Sequence, residues 1–360
     1  MQCYIKKIVI LSTCLALILF ICNSVHAATI TWTGGGSDNL VSNPLNWSDG
    51  LAPQEGDKIV FDGTSIKNCI WDLPVTLSAL TKYAGYTGRV TKASGVNLRI
   101  AKFRTWTGGG ADNLASNPAN WLDNIVPQNG DKVLFDGTSA KDCIWDINSV
   151  PAFIKLTGYA GTVTLDTALA INGNLTILSG MLDLNNKDLS VGGYLAIGVN
   201  GSLNATSSTI AVAGDWLNDG NFYYGYSTVI LNGTGQAIYG STTFYNLIKT
   251  VTAADTLFFE AGSTQTVINN LILRGTSGNL LSLRSTVDGS YWYINALGTR
   301  NVAFADIKDL NNISGTSIIA VDSVDSGNNV NVPFDEDQCV SLDHDLLFDR
   351  VLSADRRATC

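Results

Sequence analysis

Leu169-Ala170-Ile171-Asn172-Gly173 is followed by Leu189-Ser190-Val191-Gly192-Gly193, then by Ile210-Ala211-Val212-Ala213-Gly214 and Val229-Ile230-Leu231-Asn232-Gly233. Each stretch holds two apolar residues one position apart and closes on Gly, and the period is roughly 20 residues. A second alternation follows in each unit: Leu175 and Ile177, Leu195 and Ile197, then Trp216. A third follows another glycine: Leu182 and Leu184 after Gly180, Leu203 and Ala205 after Gly201, Phe222 and Tyr224 after Gly220. Three short strands in such a unit are the content of one β-helix coil. Alternate side chains point inward, and Gly serves the tight corners. No coil can bury its inward face alone, so stacking must do it. A β-sandwich is the rival, but it gives no reason for Gly to recur in register.

The period loosens after Val229 without vanishing. Val267, Leu271 and Leu273, then Leu281 and Leu283, continue the alternation, and residues 301–307 and 318–321 read as further coils. Tyr291-Trp292-Tyr293 is aromatic on both faces of its strand, which predicts at least one exposed ring. Residues 153–334 are expected to form about nine coils, a rod on the order of 40 Å long.

Upstream lies a stronger repeat. Residues 31–72 match residues 105–146 without a gap, and 30 of the 42 positions are identical. Trp32-Thr33-Gly34-Gly35-Gly36 returns as Trp106-Thr107-Gly108-Gly109-Gly110, and Cys69-Ile70-Trp71-Asp72 as Cys143-Ile144-Trp145-Asp146. Each copy reads as strand, turn-rich loop, strand, turn, strand, with three tryptophans as a miniature core. The fold class expected is therefore all-β: a right-handed parallel β-helix preceded by two tandem Trp/Gly-rich β repeats. The expected organisation is a signal peptide over 1–27, one repeat over 28–104, a second over 105–152, the β-helix over 153–334, and an acidic tail over 335–360. In that tail Leu346, Leu347, Phe348, Val351 and Leu352 recur at helical spacing, which suits a short cap or a disordered end.

The leader follows from Lys6 and Lys7, an apolar run from Ile8 to Cys22, and the small-residue pattern Val25-His26-Ala27. Its removal takes out two lysines and no acid, so the formal charge of −9 becomes −11. Such a surface argues against nucleic acid and anionic lipid as partners. No second long apolar stretch follows, so no membrane span is expected after the leader. Export permits disulfides. Cys69 and Cys143 are equivalent, and if the copies stack they fall on adjacent layers within bridging reach, against the alternative of two buried thiols. Cys339 and Cys360 form a second candidate pair.

Several groups carry a functional reading beside a bland one. Trp32, Trp47, Trp106 and Trp121 offer a sugar-stacking platform, but core packing is preferred. Asp38, Asn39 and Asn43, with Asp112, Asn113 and Asn117, offer oxygens to Ca²⁺, but capping of the loop backbone is preferred, and no cofactor is expected. Tyr223, Tyr226 and Trp292 are the candidate glycan contacts. Outside the leader His344 is the single histidine, which leaves no Ser-His-Asp triad and no paired-His zinc site. Asp306, Lys308 and Asp309, with Arg284 and Arg300, are the most enzyme-like cluster, and a solvated face is preferred for them.

The Trp-Thr-Gly-Gly-Gly to Asn-Trp to Pro-Gln-x-Gly-Asp-Lys pattern resembles repeats in large bacterial surface proteins of the adhesin and autotransporter-passenger type. Gly214-Asp215-Trp216 to Asn218-Asp219-Gly220, Thr243-Phe244-Tyr245-Asn246-Leu247 and Asp322 to Asn329 are similar to β-helical passenger repeats of that group. The resemblance covers most of residues 31–332. It implies a secreted or cell-surface β-helix without catalytic activity, meeting a surface glycan or another extracellular protein. The tail from Asp335 departs from the pattern. The alternative is an extracellular carbohydrate-binding or polysaccharide-lyase-like β-helix protein. Hydrolases on this fold carry a Gly-His-Gly step that this chain lacks.

Overall fold

The computed structural model describes residues 28–335. The candidate leader and nearly all of the tail, including Cys339, Cys360 and His344, lie outside them. The described chain is all-β, a β-solenoid of about 13 turns. Every named pair of strands is parallel, and antiparallel contacts are isolated bridges such as Trp32 with Trp47. A sandwich of antiparallel hairpins is therefore excluded.

The coil corners expected from the glycine spacing are in register. Leu169 pairs with Leu189, Leu189 with Ile210, and Thr209–Val212 with Thr228–Leu231. On the next face Leu175 pairs with Leu195 and Leu195 with Trp216. On the third, Leu182 pairs with Leu203 and Leu203 with Phe222. The inward members of these columns are buried almost without exception. Stacked apolar columns exclude water while coils above and below satisfy the backbone, which is what a lone coil cannot do. From Phe153–Leu156 to Val324–Asp325 one face runs through nine strands, the number of coils the spacing predicts.

The two copies of the N-terminal repeat fold alike, and each is the closed end of a stack. Thr29–Thr31 pairs only with Lys58–Phe61, and Phe103–Thr105 only with Lys132–Phe135, so each is the edge strand of its sheet. The chain then crosses to the second face, where Leu40 bridges Ile70 and Leu114 bridges Ile144. It turns inward through the 3-10 turns Pro44–Asn46 and Pro118–Asn120 and seats Trp47 and Trp121 in the interior. A parallel solenoid exposes strand edges and core at its ends unless something covers them. Here the first coil folds over itself to do so.

The first stack is short. Its sheets hold three, two and two strands, and its buried cluster runs from Ile30 to Tyr86. The second stack begins at Phe103 and its core is one cluster from Trp106 to Val332. The change of sequence period near residue 153 is thus not a break in the core: Phe153–Leu156 pairs directly with Lys132–Phe135. Among the described residues no hydrogen-bonded strand pair joins the stacks. Arg99 does, donating to the Asn129 carbonyl at 2.9 Å and pairing with Asp131 at 2.5 Å.

Of the two alternatives for Cys69 and Cys143, a bridge between adjacent layers or two buried thiols, this arrangement gives the second. Each points into the core of its own stack, beside Val90 and Val163 respectively. Both are free and buried, and no Cys69–Cys143 bridge forms. Equivalent positions in separate stacks are not neighbouring layers.

Candidate functional site

The Trp-Thr-Gly-Gly-Gly turn is a packing device. Gly34 has a φ of +61°, and a Cβ on Gly36 would stand 2.6 Å from the Asn43 amide. Lys67 reaches over the turn and donates to the carbonyls of Gly34 at 3.1 Å and Gly36 at 2.6 Å; Lys141 repeats this at Gly108 and Gly110. Trp32 and Trp47 meet edge to face at 5.2 Å, and Trp106 and Trp121 do the same. All four rings are buried, so they offer no platform to a sugar. Their indole N–H groups donate to backbone carbonyls, Trp47 to Val41 and Trp121 to Ala115.

The oxygens considered for Ca²⁺ are taken by the loop itself. Asp38 accepts from the Leu40 N–H and from Asn43 and Asn46. Those donors, the Leu40 N–H first, hold its carboxyl below the usual range. Asp112 is held down in the same way, first by Asn117. Asn43 and Asn117 cap their 3-10 turns by accepting from Leu45 and Ala119. Asn39 and Asn113 contribute carbonyls to the bridges with Ile70 and Ile144. Among the described residues no group of three acidic, His or Cys side chains is placed to hold a metal.

The three candidate glycan contacts separate. Trp292 is fully buried, stacked on Phe259 at 3.8 Å with planes 3° apart, and leaves the candidate set. The strand Trp292–Ala296 points it inward and leaves Tyr291 and Tyr293 half-buried on the outside. Tyr223 and Tyr226 are exposed, and Tyr226 stands edge to face against Tyr245 at 5.2 Å. A second feature lies at another corner, where a furrow of about 500 Å³ crosses successive coils. Its floor includes Gly192, Gly193, Gly214 and Gly233, and Tyr194, Asn174, Asp215 and Asn232 stand on its walls. Glycine is needed there because coils approach closely: a Cβ on Gly233 would fall 1.7 Å from the Ala213 carbonyl oxygen.

The enzyme-like cluster assembles only in part. Arg284 pairs with Asp306, and Lys308 with Asp288. Arg284 lies on one sheet, whereas Arg300 lies on another and donates to Ala296. Asp309 accepts from Gly289 and Asn328.

One cluster escaped the sequence reading. The register Ile230 to Ile248 puts Lys249 in the inward column between Leu231 and Leu273. Its side chain is fully buried. The Nζ atom stands 2.8 Å from Asp255 Oδ2, and donates to Gly233 O at 2.8 Å and Gln236 Oε1 at 3.0 Å. Burial pushes the Lys249 ammonium down, against its pairing with Asp255. Burial raises Asp255, but Lys249 and the Gly235 N–H outweigh it and leave its carboxyl below the usual range. Aligning Val229-Ile230-Leu231 with Leu247-Ile248-Lys249 would have exposed the lysine as the odd member of an apolar column.

Fold and surface together define a parallel β-solenoid protein with self-capped stacks. No family model, no curated protein and no solved structure matches the chain. Among the described residues no helix is long and apolar enough to cross a membrane.

Proposed function

We propose that this protein is a secreted or cell-surface structural element, an adhesin-like rod without catalytic activity. The observation that carries the reading is the single continuous hydrophobic cluster from Trp106 to Val332. Such a core makes a stiff spacer, and its partners would be met on the outside of the coils. The basic start, apolar run and Val25-His26-Ala27 site support export. The pairing of Arg284 with Asp306, away from Arg300, supports a passive face. Surface-protease shaving of producing cells, with N-terminal sequencing of the released chain, tests it. Recovery of a chain starting at Ala28 from the outside is expected, and full-length chain confined to the cytoplasm would overturn the reading.

A second reading, a glycan-binding or lyase-like protein, rests on the exposed Tyr223 and Tyr226 and on the furrow beside Tyr194. A glycan array run with wild type and Tyr226→Ala examines the first part. A Ca²⁺-supplemented eliminative-cleavage assay on acidic polysaccharides, with Arg284→Ala as control, examines the second. Unsaturated products that vanish with Arg284→Ala would displace the scaffold reading.

A further inference from the structure

A charged pair in the middle of an aliphatic column calls for a reason. Desolvation of buried ions commonly cancels their attraction, and apolar residues of similar volume would serve stability equally well. Other inward positions along this column hold aliphatic side chains: Val212 and Leu231 on one side of Lys249, Leu273, Val302 and Ala320 on the other. At Lys249 three reactive types converge instead, an amine, a carboxamide and a carboxylate, and the lysine and the carboxamide are buried.

The carboxamide is held for attack. Gln236 is buried at 1% exposure, and its Nε2 donates to the carbonyls of Val212 and Gly214. That leaves Oε1 facing Lys249, where it also accepts from the Gly233 N–H at 2.9 Å. This backbone donor polarises the carbonyl and is placed to hold an oxyanion that forms on Oε1. Asp255 fixes its Oδ1 through the N–H groups of Gly235 and Thr256, at 2.8 Å each. Its Oδ2 has no hydrogen-bond donor other than the lysine 2.8 Å away.

We propose that Lys249 and Gln236 condense into an intramolecular isopeptide bond, with Asp255 carrying the proton. The ammonium first passes a proton to Asp255 Oδ2 across the 2.8 Å ion-pair contact, a transfer that burial of the lysine side chain eases and the donors to the carboxylate oppose. The free Nζ lone pair attacks Cδ of Gln236, and the carbonyl electrons move onto Oε1, held by the Gly233 N–H. As the carbon becomes tetrahedral, Nε2 leaves the Val212 and Gly214 carbonyls; Asp255 delivers its proton to it, recovers one from the attacking nitrogen and ends protonated. The Cδ–Nε2 bond breaks, the Cδ–Nζ bond remains, and one ammonia leaves. No oxidant, metal or activated co-reactant is required. Gly214 and Gly233 touch both the site and the furrow, which gives the ammonia a path to solvent. The product staples the chain across one coil corner, from the strand Ala237–Tyr239 side to the strand Thr242–Thr250.

Tryptic mapping of the purified full chain by mass spectrometry tests the bond. The expected result is a peptide from Asp188 to Arg274, uncut at Lys249 and lighter than its sequence by one ammonia, with fragment ions linking Gln236 to Lys249. Lys249→Met is expected to abolish the loss, and Asp255→Asn to leave free Lys249 that trypsin cuts. Wild-type protein cut at Lys249 at its full sequence mass overturns the proposal whatever the variants do. Loss of a water instead of an ammonia would place the bond on Asp255 and overturn it as well. A cross-link retained in Asp255→Asn would remove the proton-carrying role assigned to that carboxylate.

Discussion

A Cβ at Gly201 would stand 1.9 Å from the carbonyl oxygen of Ile177 in the preceding coil, whereas one at Gly262 would meet nothing within 4 Å. The two glycines therefore answer different demands. Gly201 is required by the approach of neighbouring coils; Gly262 by its φ of +80°, which L side chains adopt at a cost. Gly201→Ala is expected to destabilise the protein by about 3 kcal/mol through forced backbone displacement. Gly262→Ala should cost about 1 kcal/mol. Urea unfolding midpoints at constant m separate them, and equal costs would contradict the close-approach argument. The cysteines give a second residue-scale expectation. Burial, with the Asp72 charge adding to it, pushes the Cys69 thiol up to about 12 from an ordinary 9.0, and burial raises Cys143 as well. Neither should react with a thiol reagent in native protein at pH 8, and both should react once denaturant is added. The sign of the linkage follows. Above pH 9 the unfolded chain releases these protons while the folded chain keeps them, so stability is full below that value and falls as pH rises towards 12.

At the scale of the element, the end coil is the informative unit. Asn120 is fully buried, donates to the carbonyls of Asp112 and Leu114, and accepts from the Gly110 N–H, so it wires the loop that carries Trp121 inward. Trp121→Ala should cost about 3–5 kcal/mol. Its neighbour Leu122, exposed to 66%, should cost less than about 0.5 kcal/mol on the same change. Hydrogen exchange should show the Trp121→Ala loss first in the strands Phe103–Thr105 and Lys132–Phe135 that the lid covers. Unchanged protection there would mean the loop is not a lid. The strands themselves were legible because apolar alternation and glycine corners repeat; Leu169, Leu189 and Ile210 needed no more than counting. The lid was not legible, because identity between residues 31–72 and 105–146 says that two units are alike and nothing about which end of a stack they occupy. Trp292 misled for a related reason. Tyr291-Trp292-Tyr293 alternates aromatic with aromatic, so periodicity could not say which ring faces Phe259. Lys249 was hidden because its column is read by polarity, and a lysine interrupts the reading where its partners lie elsewhere, Gln236 just before the strand Ala237–Tyr239 and Asp255 at the start of Asp255–Phe259.

At the scale of the molecule, the second stack runs through eleven strands on one face, a rod on the order of 50 Å. The first stack has a hydrophobic cluster of ten buried side chains and, among the described residues, shares no strand pairing with the second. Small cores are marginal because they bury a smaller share of their surface. The two should therefore unfold in separate steps, the short stack at lower denaturant. The second stack's integrity is also partly independent of their link. Burial raises Asp131, but Arg99, the Lys102 N–H and Arg104 together outweigh it and hold its carboxyl below the ordinary 3.8. A depressed carboxylate stabilises the fold above 3.8, and that contribution is lost as pH falls below it. Arg99 belongs to the first stack, while Arg104 stands in the edge strand of the second at 2.9 Å from Asp131. A chain beginning at Lys102 thus loses one guanidinium and keeps the other. It is expected to retain the upper unfolding transition of the full protein at neutral pH, to lack the lower one, and to lose stability on acidification at a slightly higher pH. Circular dichroism in urea at pH 7 and pH 3 follows all three. One cooperative transition for the intact protein, or collapse of the shortened chain at neutral pH, would mean that the stacks fold as one body and that the second lid does not close its own core.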